Sequence, residues 1–333
     1  MTERIRGVLA PVVTPFTVDF SPDRERFIRH CQWLWLQNCG LAPFGTTSEA
    51  NSMSTDERIS LLEALLAAGI DPSRMMPGTG CCSITETVEL TTLAVKHGCA
   101  GVLMLPPFYY KDVSEEGLYR YFSEVVQRVG DARLRIYLYH IPPVAIVGIT
   151  PKLVERLLKA YPNAIAGMKD SSGDWNNTKT FLDAFAESAR PARTGFDVFV
   201  GSESFLLANM RNGGAGTISA TANVNPAAIH ELYQKCSGVR CSERRGNKAL
   251  GTSASTTDLD AQQARLNVVR EVFSSRKFPS MIAALKQAIA IYGNDPEWAR
   301  VRPPLVELTT EQAKLLAAEL KAVDFAMNGI RRD

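Results

Sequence analysis

The run Ala164-Ile165-Ala166-Gly167-Met168-Lys169-Asp170-Ser171-Ser172 sets the frame for the whole chain. Five uncharged residues lead into a lysine, and a polar turn follows at once. A short continuous apolar run bounded by turn residues fits a strand buried on both faces, as in a parallel sheet. Working outward, the same alternation recurs in both directions. Strand candidates span 8–16, 41–46, 75–79, 101–105, 135–141, 164–169, 197–201 and 217–221. Helix candidates span 23–37, 55–68, 84–97, 115–129, 151–160, 175–186, 204–212 and 226–233. Strict alternation predicts parallel βαβ units. With eight of each, closure into an α/β (β/α)8 TIM barrel is the economical arrangement. An open doubly wound sheet is the alternative. It lacks the G-x-G-x-x-G fingerprint after the first strand, where Thr14-Pro15-Phe16 stands.

Helix signals support this frame. Ser54-Thr55-Asp56-Glu57 has the pattern of a capping box, and Thr150-Pro151 and Asn225-Pro226 place a proline at a first helical position. After Tyr233 the composition changes. Residues 1–235 read as the catalytic barrel and 236–260, rich in Ser, Thr, Gly and Arg, as an irregular insertion. Helical periodicity over 261–274, 279–292 and 310–328 makes 261–333 a C-terminal helical extension.

Bulk composition narrows the function classes. The 333 residues carry a formal charge of +2 with both signs interspersed, so a nucleic-acid tail is not expected. The small basic cluster Arg244, Arg245 and Lys248 reads as a solvated loop. No apolar run reaches the ~18 residues of a membrane span, and the first residues lack a signal-peptide pattern. Seven cysteines without a C-x-x-C pair read as free thiols in a reducing, cytoplasmic setting. The four histidines are isolated, so no metal site is expected.

In barrel enzymes the reacting groups stand at the C-terminal ends of strands. Lys169 closes one such strand. Desolvation disfavours the charged form of an amine, and a neutral amine attacks a ketone carbon to form an imine. The alternative is a lysine leaving the strand for solvent. Thr46 and Thr47, between Gly45 and Glu49, offer hydroxyls and backbone N–H groups that can hold a carboxylate or cap the next helix. Tyr139 shares a strand face with Tyr137 and either packs the barrel or moves a proton. Gly201 permits close backbone approach to a ligand or is an ordinary turn glycine. The joint placement of an amine, a phenol and paired hydroxyls on separate strand ends is much less expected by chance than any one of them.

At these residues the chain resembles the dihydrodipicolinate synthase / N-acetylneuraminate lyase family of class I Schiff-base aldolases. The family's G-T/S-T-G-E motif appears as Gly45-Thr46-Thr47-Ser48-Glu49, with Ser48 in place of glycine. Y-N-x-P appears as Tyr139-His140-Ile141-Pro142, and G-x-K-D/E as Gly167-Met168-Lys169-Asp170. The stretch 213–224 and Val301-Arg302-Pro303-Pro304-Leu305 extend the match. The resemblance implies an imine between Lys169 and a 2-oxo acid such as pyruvate, with no cofactor beyond that covalent link. Tyr139 is then the proton carrier, and Thr47 with its backbone holds the pyruvate carboxylate. Thr46 links Tyr139 to a tyrosine donated by a second copy in a homo-oligomer, a dimer or tetramer. That tyrosine is Tyr109, or Tyr110, because the loop is one residue longer than usual. Ser48, Gly201 and Glu203 complete the substrate-binding set, the Ser202-Glu203-Ser204 segment partly resembling the acidic segment of the sialic-acid branch.

Val144 stands where synthases carry an arginine for the carboxylate of the aldehyde partner. Loss of such a charge-assisted contact costs about 1.5–3 kcal/mol. The expected reaction is therefore pyruvate-dependent aldol or dehydratase chemistry on a partner other than aspartate semialdehyde. A 2-oxo-3-deoxy sugar acid or 4-hydroxy-2-oxo acid suits it. Two rivals stand: a non-catalytic barrel that binds a small acid, and a phosphate-binding barrel suggested by Gly213-Gly214. The latter pair precedes the eighth strand and so belongs to the face away from the active site. Thr55, Arg58 and Cys82 occupy positions where feedback-inhibited synthases hold lysine through polar groups. L-lysine at millimolar concentration is accordingly expected to leave turnover unchanged; clear inhibition in a steady-state assay would refute this.

Overall fold

The computed structural model describes residues 4–185, 195–244 and 256–330. Among the described residues seven strands are formed: β1 (Gly7–Ala10), β2 (Gly40–Leu41), β3 (Val102–Met104), β4 (Ile136–His140), β5 (Ile165–Asp170), β6 (Asp197–Val200) and β7 (Gly216–Ile218). Helices intervene: α1 (Arg24–Leu36), α2 (Thr55–Ala67), α3 (Ile84–Lys96), α4 (Glu115–Val129), α5 (Pro142–Ala145), α6 (Pro151–Ala160), α7 (Trp175–Phe185), α8 (Leu206–Arg211) and α9 (Pro226–Arg244). Then come α10 (Thr256–Ser274), α11 (Met281–Tyr292) and α12 (Thr310–Ala322). The pairs β1–β2, β3–β4, β4–β5, β5–β6 and β6–β7 are parallel. This is the (β/α)8 barrel architecture, with its third stave made irregularly. The chain divides into two compact units. One holds residues up to Gly7 with Ala42–Gly45 and Asp71–Ile218; the other holds Val8–Leu41, Thr46–Ile70 and the chain from Ser219 on.

In the first unit the strands lie in the order β7-β6-β5-β4-β3. Gly7 N–H, opening β1, donates to the Ala215 carbonyl just before β7 (2.9 Å). Alternate residues divide between two faces. Leu138, Met168 and Val198 turn toward a core shared with Phe122 of α4, Leu157 of α6 and Phe181 of α7. Tyr137, Tyr139, Lys169 and Phe199 occupy the other face by the same alternation. The Tyr137 ring is accommodated by two glycines. A Cβ on Gly167 would meet Tyr137 Cδ1 at 2.9 Å and the Asp197 carbonyl at 2.2 Å, and one on Gly101 would meet Tyr137 Cε2 at 2.7 Å. Arg4 and Arg6 pair with the buried Asp197 carboxylate at 3.1 and 2.6 Å.

The expected strand over 75–79 is not a regular strand. Pro77 has no N–H to give a ladder. Its carbonyl still accepts from Leu103 N–H (2.9 Å), Thr79 N–H donates to the Leu103 carbonyl (3.0 Å), and Gly78 N–H donates to the Pro43 carbonyl (2.7 Å). Bonds on both sides keep the stave in place. Only glycine fits, since a Cβ on Gly78 would lie 2.1 Å from the Phe44 carbonyl oxygen. Gly214, from the glycine pair ahead of β7, is pressed against the Asn209 side chain, where a Cβ would lie 2.1 Å from Oδ1.

In the second unit β1 pairs with β2, Leu9 opposite Gly40 and Ala10 opposite Leu41. The expected strand over 8–16 stops after four residues because prolines interrupt it at Pro11 and Pro15. A side chain substitutes for a ladder: Asn223 Oδ1 accepts from Val13 N–H (3.0 Å) and its Nδ2 donates to the Pro11 carbonyl (3.0 Å). Ser54 and Glu57 form the expected capping box on α2. The helix expected over 226–233 continues to Arg244, and α10 begins at Thr256, so both enter the stretch read as irregular. Arg245 and Lys248 lie outside the described residues.

His30 in α1 is buried, stacked on Trp33 (ring centroids 5.6 Å) and edge-on to Trp298 (5.1 Å). Burial pushes its pKa down from 6.5 to about 4, while Asn223 opposes the shift. The folded state therefore keeps this ring neutral where the unfolded chain protonates it. Its contribution is fully present above about pH 6.5 and is lost as pH falls toward 4. Between pH 7 and 4.5 the wild type should lose about 2–3 kcal/mol more unfolding free energy than His30→Gln. Denaturant titrations at the two pH values measure this; equal losses would show that the ring does not titrate this way.

Candidate active site

Lys169 is the penultimate residue of β5, which is flanked on both sides. Tyr139 of β4 and Phe199 of β6 are its register partners. Lys169 is only 4% exposed and Tyr139 is likewise buried. Adjacent parallel strands in register place the two side chains on the same face. Lys169 Nζ lies 3.3 Å from Tyr139 Oη and 4.3 Å from the centre of its ring. The amine thus meets a phenol oxygen at the end of an apolar strand rather than solvent.

Backbone bonds fix this strand end. Ser171 N–H donates to the His140 carbonyl and Gly201 N–H to the Asp170 carbonyl, both at 2.7 Å. Asp170 turns to the opposite face, where its carboxylate accepts from Thr178 Oγ1 (2.6 Å), Asn177 Nδ2 (3.1 Å) and Ser172 N–H (2.9 Å). These bonds anchor the turn after Lys169 to α7. Gly201 is required by space: a Cβ there would lie 2.0 Å from Ser171 Oγ. His140, where the motif has asparagine, also points away from Lys169. Its Nδ1 accepts from Ile149 N–H (2.9 Å). Burial lowers its pKa and the Asp170 charge opposes this.

The remaining expected residues of this unit lie in connecting segments. Tyr109 and Tyr110 are each 73% exposed and form an edge-to-face pair at 5.4 Å. Lys111 Nζ donates to the Phe108 carbonyl and to the Ala145 carbonyl, tying this loop to α5. Val144 in α5 is 59% exposed. Glu203 is buried in a 3-10 turn, Glu203–Phe205.

The second unit carries the Thr46-Thr47-Ser48-Glu49 turn. Both threonines are half-buried. Glu49 N–H donates to the Thr46 carbonyl (3.1 Å), and the Ser48 carbonyl accepts from Thr14 Oγ1 (2.8 Å). Glu49 itself is left-handed, with φ 58° and ψ 31°, a conformation that non-glycine residues adopt at a cost. Its carboxylate accepts from Lys286 Nζ (2.7 Å) and from Arg302 N–H (2.8 Å). The Lys286 and Glu49 side chains are both 0% exposed. Burial pushes Lys286 down to about 8, with Glu49 opposing. Arg302 further pairs with Glu57 through two bonds, 2.7 and 2.9 Å, and donates to the Ser52 carbonyl (2.6 Å). That pairing holds the Glu57 carboxyl below its usual range. Sequence reading overlooked Lys286. Its signal was available: it is the only charged residue in the mostly apolar α11 run Met281–Tyr292. Among the described residues no group of three or more His, Cys, Asp or Glu side chains could hold a metal ion.

Comparison with known proteins covers the whole of this arrangement. Residues 4–323 match the model of the dihydrodipicolinate synthetase family. An uncharacterised DapA-like lyase of Chloroflexus aurantiacus is 32% identical over 320 residues, covering 96% of this chain and 97% of that protein. The 4-hydroxy-tetrahydrodipicolinate synthase of Thermus thermophilus is 38% identical over 233 residues, 69% of this chain and 73% of the enzyme. The crystal structure of dihydrodipicolinate synthase from Agrobacterium tumefaciens superposes with a TM-score of 0.78 at 29% identity, covering 96% of this chain and 99% of that one. Agreement in motif order, length and fold is complete enough for one conclusion: this chain belongs to the dihydrodipicolinate synthetase family and is a lyase of the class I aldolase type.

Proposed function

We propose that Lys169 forms the imine with pyruvate or a closely related 2-oxo acid, and that the enzyme joins this to, or splits it from, an aldehyde other than aspartate semialdehyde. The observation that carries the reading is the buried Lys169–Tyr139 pair, Nζ to Oη 3.3 Å, at the end of β5. The amine adds to the C2 carbonyl to give a carbinolamine. Departure of its hydroxyl as water leaves the imine, and Tyr139 is within reach to deliver the proton that this needs. Loss of a C3 proton then yields the enamine that attacks the aldehyde carbon; the reverse sequence cleaves the same bond. In the family motif Thr47 and its backbone hold the carboxylate, and Thr46 carries the proton onward. These roles are part of the proposal, with Ser48, Gly201 and Glu203 as further substrate contacts.

Two features support the choice of partner and assembly. Val144 offers no charge to a second carboxylate, and its exposure leaves room for a hydroxylated chain of a sugar-derived acid. Two neighbouring tyrosines exposed on a loop are an unusual expense of apolar surface for a single chain. A second copy that receives Tyr109, or Tyr110, accounts for them and makes the enzyme a homo-oligomer.

Borohydride reduction in the presence of pyruvate should add one reduced pyruvate imine at Lys169, located by peptide mass spectrometry. Lys169→Ala should abolish the adduct. Tyr139→Phe should slow its formation roughly a hundredfold or more while leaving the fold intact. Pyruvate binding without any adduct would favour a small-acid-binding barrel instead. A panel of aldehydes with pyruvate consumption as readout should rank aspartate semialdehyde below polyhydroxylated aldehydes; the opposite ranking would overturn the assignment resting on Val144.

A further inference from the structure

We propose that Lys286, on helix α11 of the C-terminal extension, is a positioning residue for the carboxylate of the 2-oxo acid. It acts through Glu49 on the Thr46–Thr47 turn, and the proposal rests on reading that turn as the carboxylate holder. The geometry is specific. Glu49 is left-handed, and each of its carboxylate oxygens has a donor from the C-terminal part of the chain: Lys286 Nζ on Oε1 (2.7 Å) and Arg302 N–H on Oε2 (2.8 Å). Its own N–H closes the turn on the Thr46 carbonyl, and Thr14 Oγ1 holds the Ser48 carbonyl. The turn is therefore closed by its own Glu49–Thr46 bond and held from outside at the Ser48 carbonyl and at the Glu49 carboxylate.

Stability alone does not account for the pair. Both side chains are fully buried, and Lys286 Nζ sits 4.5 Å above the Phe16 ring. Two charges taken out of water regain little beyond what they lose, and apolar residues of similar volume commonly serve folding as well. What an ion pair supplies that an apolar pair does not is direction. Backbone N–H groups bind a carboxylate well only when they are aimed before it arrives, and a site about 1 Å too loose loses that preorganisation. The lysine is thus placed where a turn in a costly conformation must be held to a fixed orientation.

The test uses the full-length double variant Glu49→Gln/Lys286→Met, which removes both charges together and leaves neither buried without its partner. Pyruvate saturation of borohydride trapping at Lys169 is measured beside the thermal midpoint. The expected result is a midpoint near that of wild type, a half-saturating pyruvate concentration raised at least about tenfold, and a maximal trapping rate changed less than about threefold. Should the double variant not fold, Glu49→Gln/Lys286→Leu, equally free of unpaired buried charge, carries the same expectation. Wild-type half-saturation in a folded variant would overturn the proposal, as would a fall confined to the maximal rate. Thr47→Ala serves as the control. If it raises half-saturation and the double variant does not, the proposal about Lys286 fails alone. If Thr47→Ala also leaves half-saturation unchanged, the reading of the turn has failed and the proposal falls with it.

Discussion

Parallel register between β4, β5 and β6 is the constraint on which the rest depends. Side chains alternate along a strand, so a slip of one residue would send Lys169 to the helix-facing side and bring Met168 or Asp170 inward. The slip is prevented at the strand ends. Ser171 N–H on the His140 carbonyl and Gly201 N–H on the Asp170 carbonyl lock three strands at the level of the lysine. The Asp170 carboxylate, gripped from α7, holds the same register from the far face. A residue adjacent to Lys169 thus fixes it by pointing away from it.

Two buried lysines in one chain show how surroundings divide a single residue type between tasks. Lys169 faces a phenol, with which it can exchange a proton. Lys286 faces a carboxylate in a fully enclosed site, where charge and direction are all it can offer. The first is suited to chemistry and the second to holding a neighbour still. The contrast follows from the partner at about 3 Å, since both side chains are comparably withdrawn from water.

The alternation of apolar runs and amphipathic segments made the barrel legible, because both periodicities are local. Strand ends were less so. Prolines at 11, 15 and 77 interrupt ladders that apolar patterning alone extends, and the substitutes are long-range: an asparagine side chain from 223 and a carbonyl at Pro43. Lys169, Tyr139 and the Thr46–Thr47 pair could be singled out as candidates because each falls in a short motif at a strand end. Lys286 was hidden because its role is defined by Glu49, a residue far away in the chain. His140 shows the converse. It departs from the motif, yet the departure falls on the face away from Lys169, where it packs near Phe181 and accepts a backbone bond.

The bond from Gly7 N–H to the Ala215 carbonyl joins residues 215 − 7 = 208 positions apart. A growing chain appears in sequence order, so the Gly7 N–H has no mate until Ala215 emerges. Until then that backbone group is open to stray pairing. Long-range pairing of this kind also slows folding, because the loop must close before the contact rewards it. The bond that joins Gly7 to the strand region before β7 therefore forms late, and folding of this unit waits on chain that is made long after its first strand.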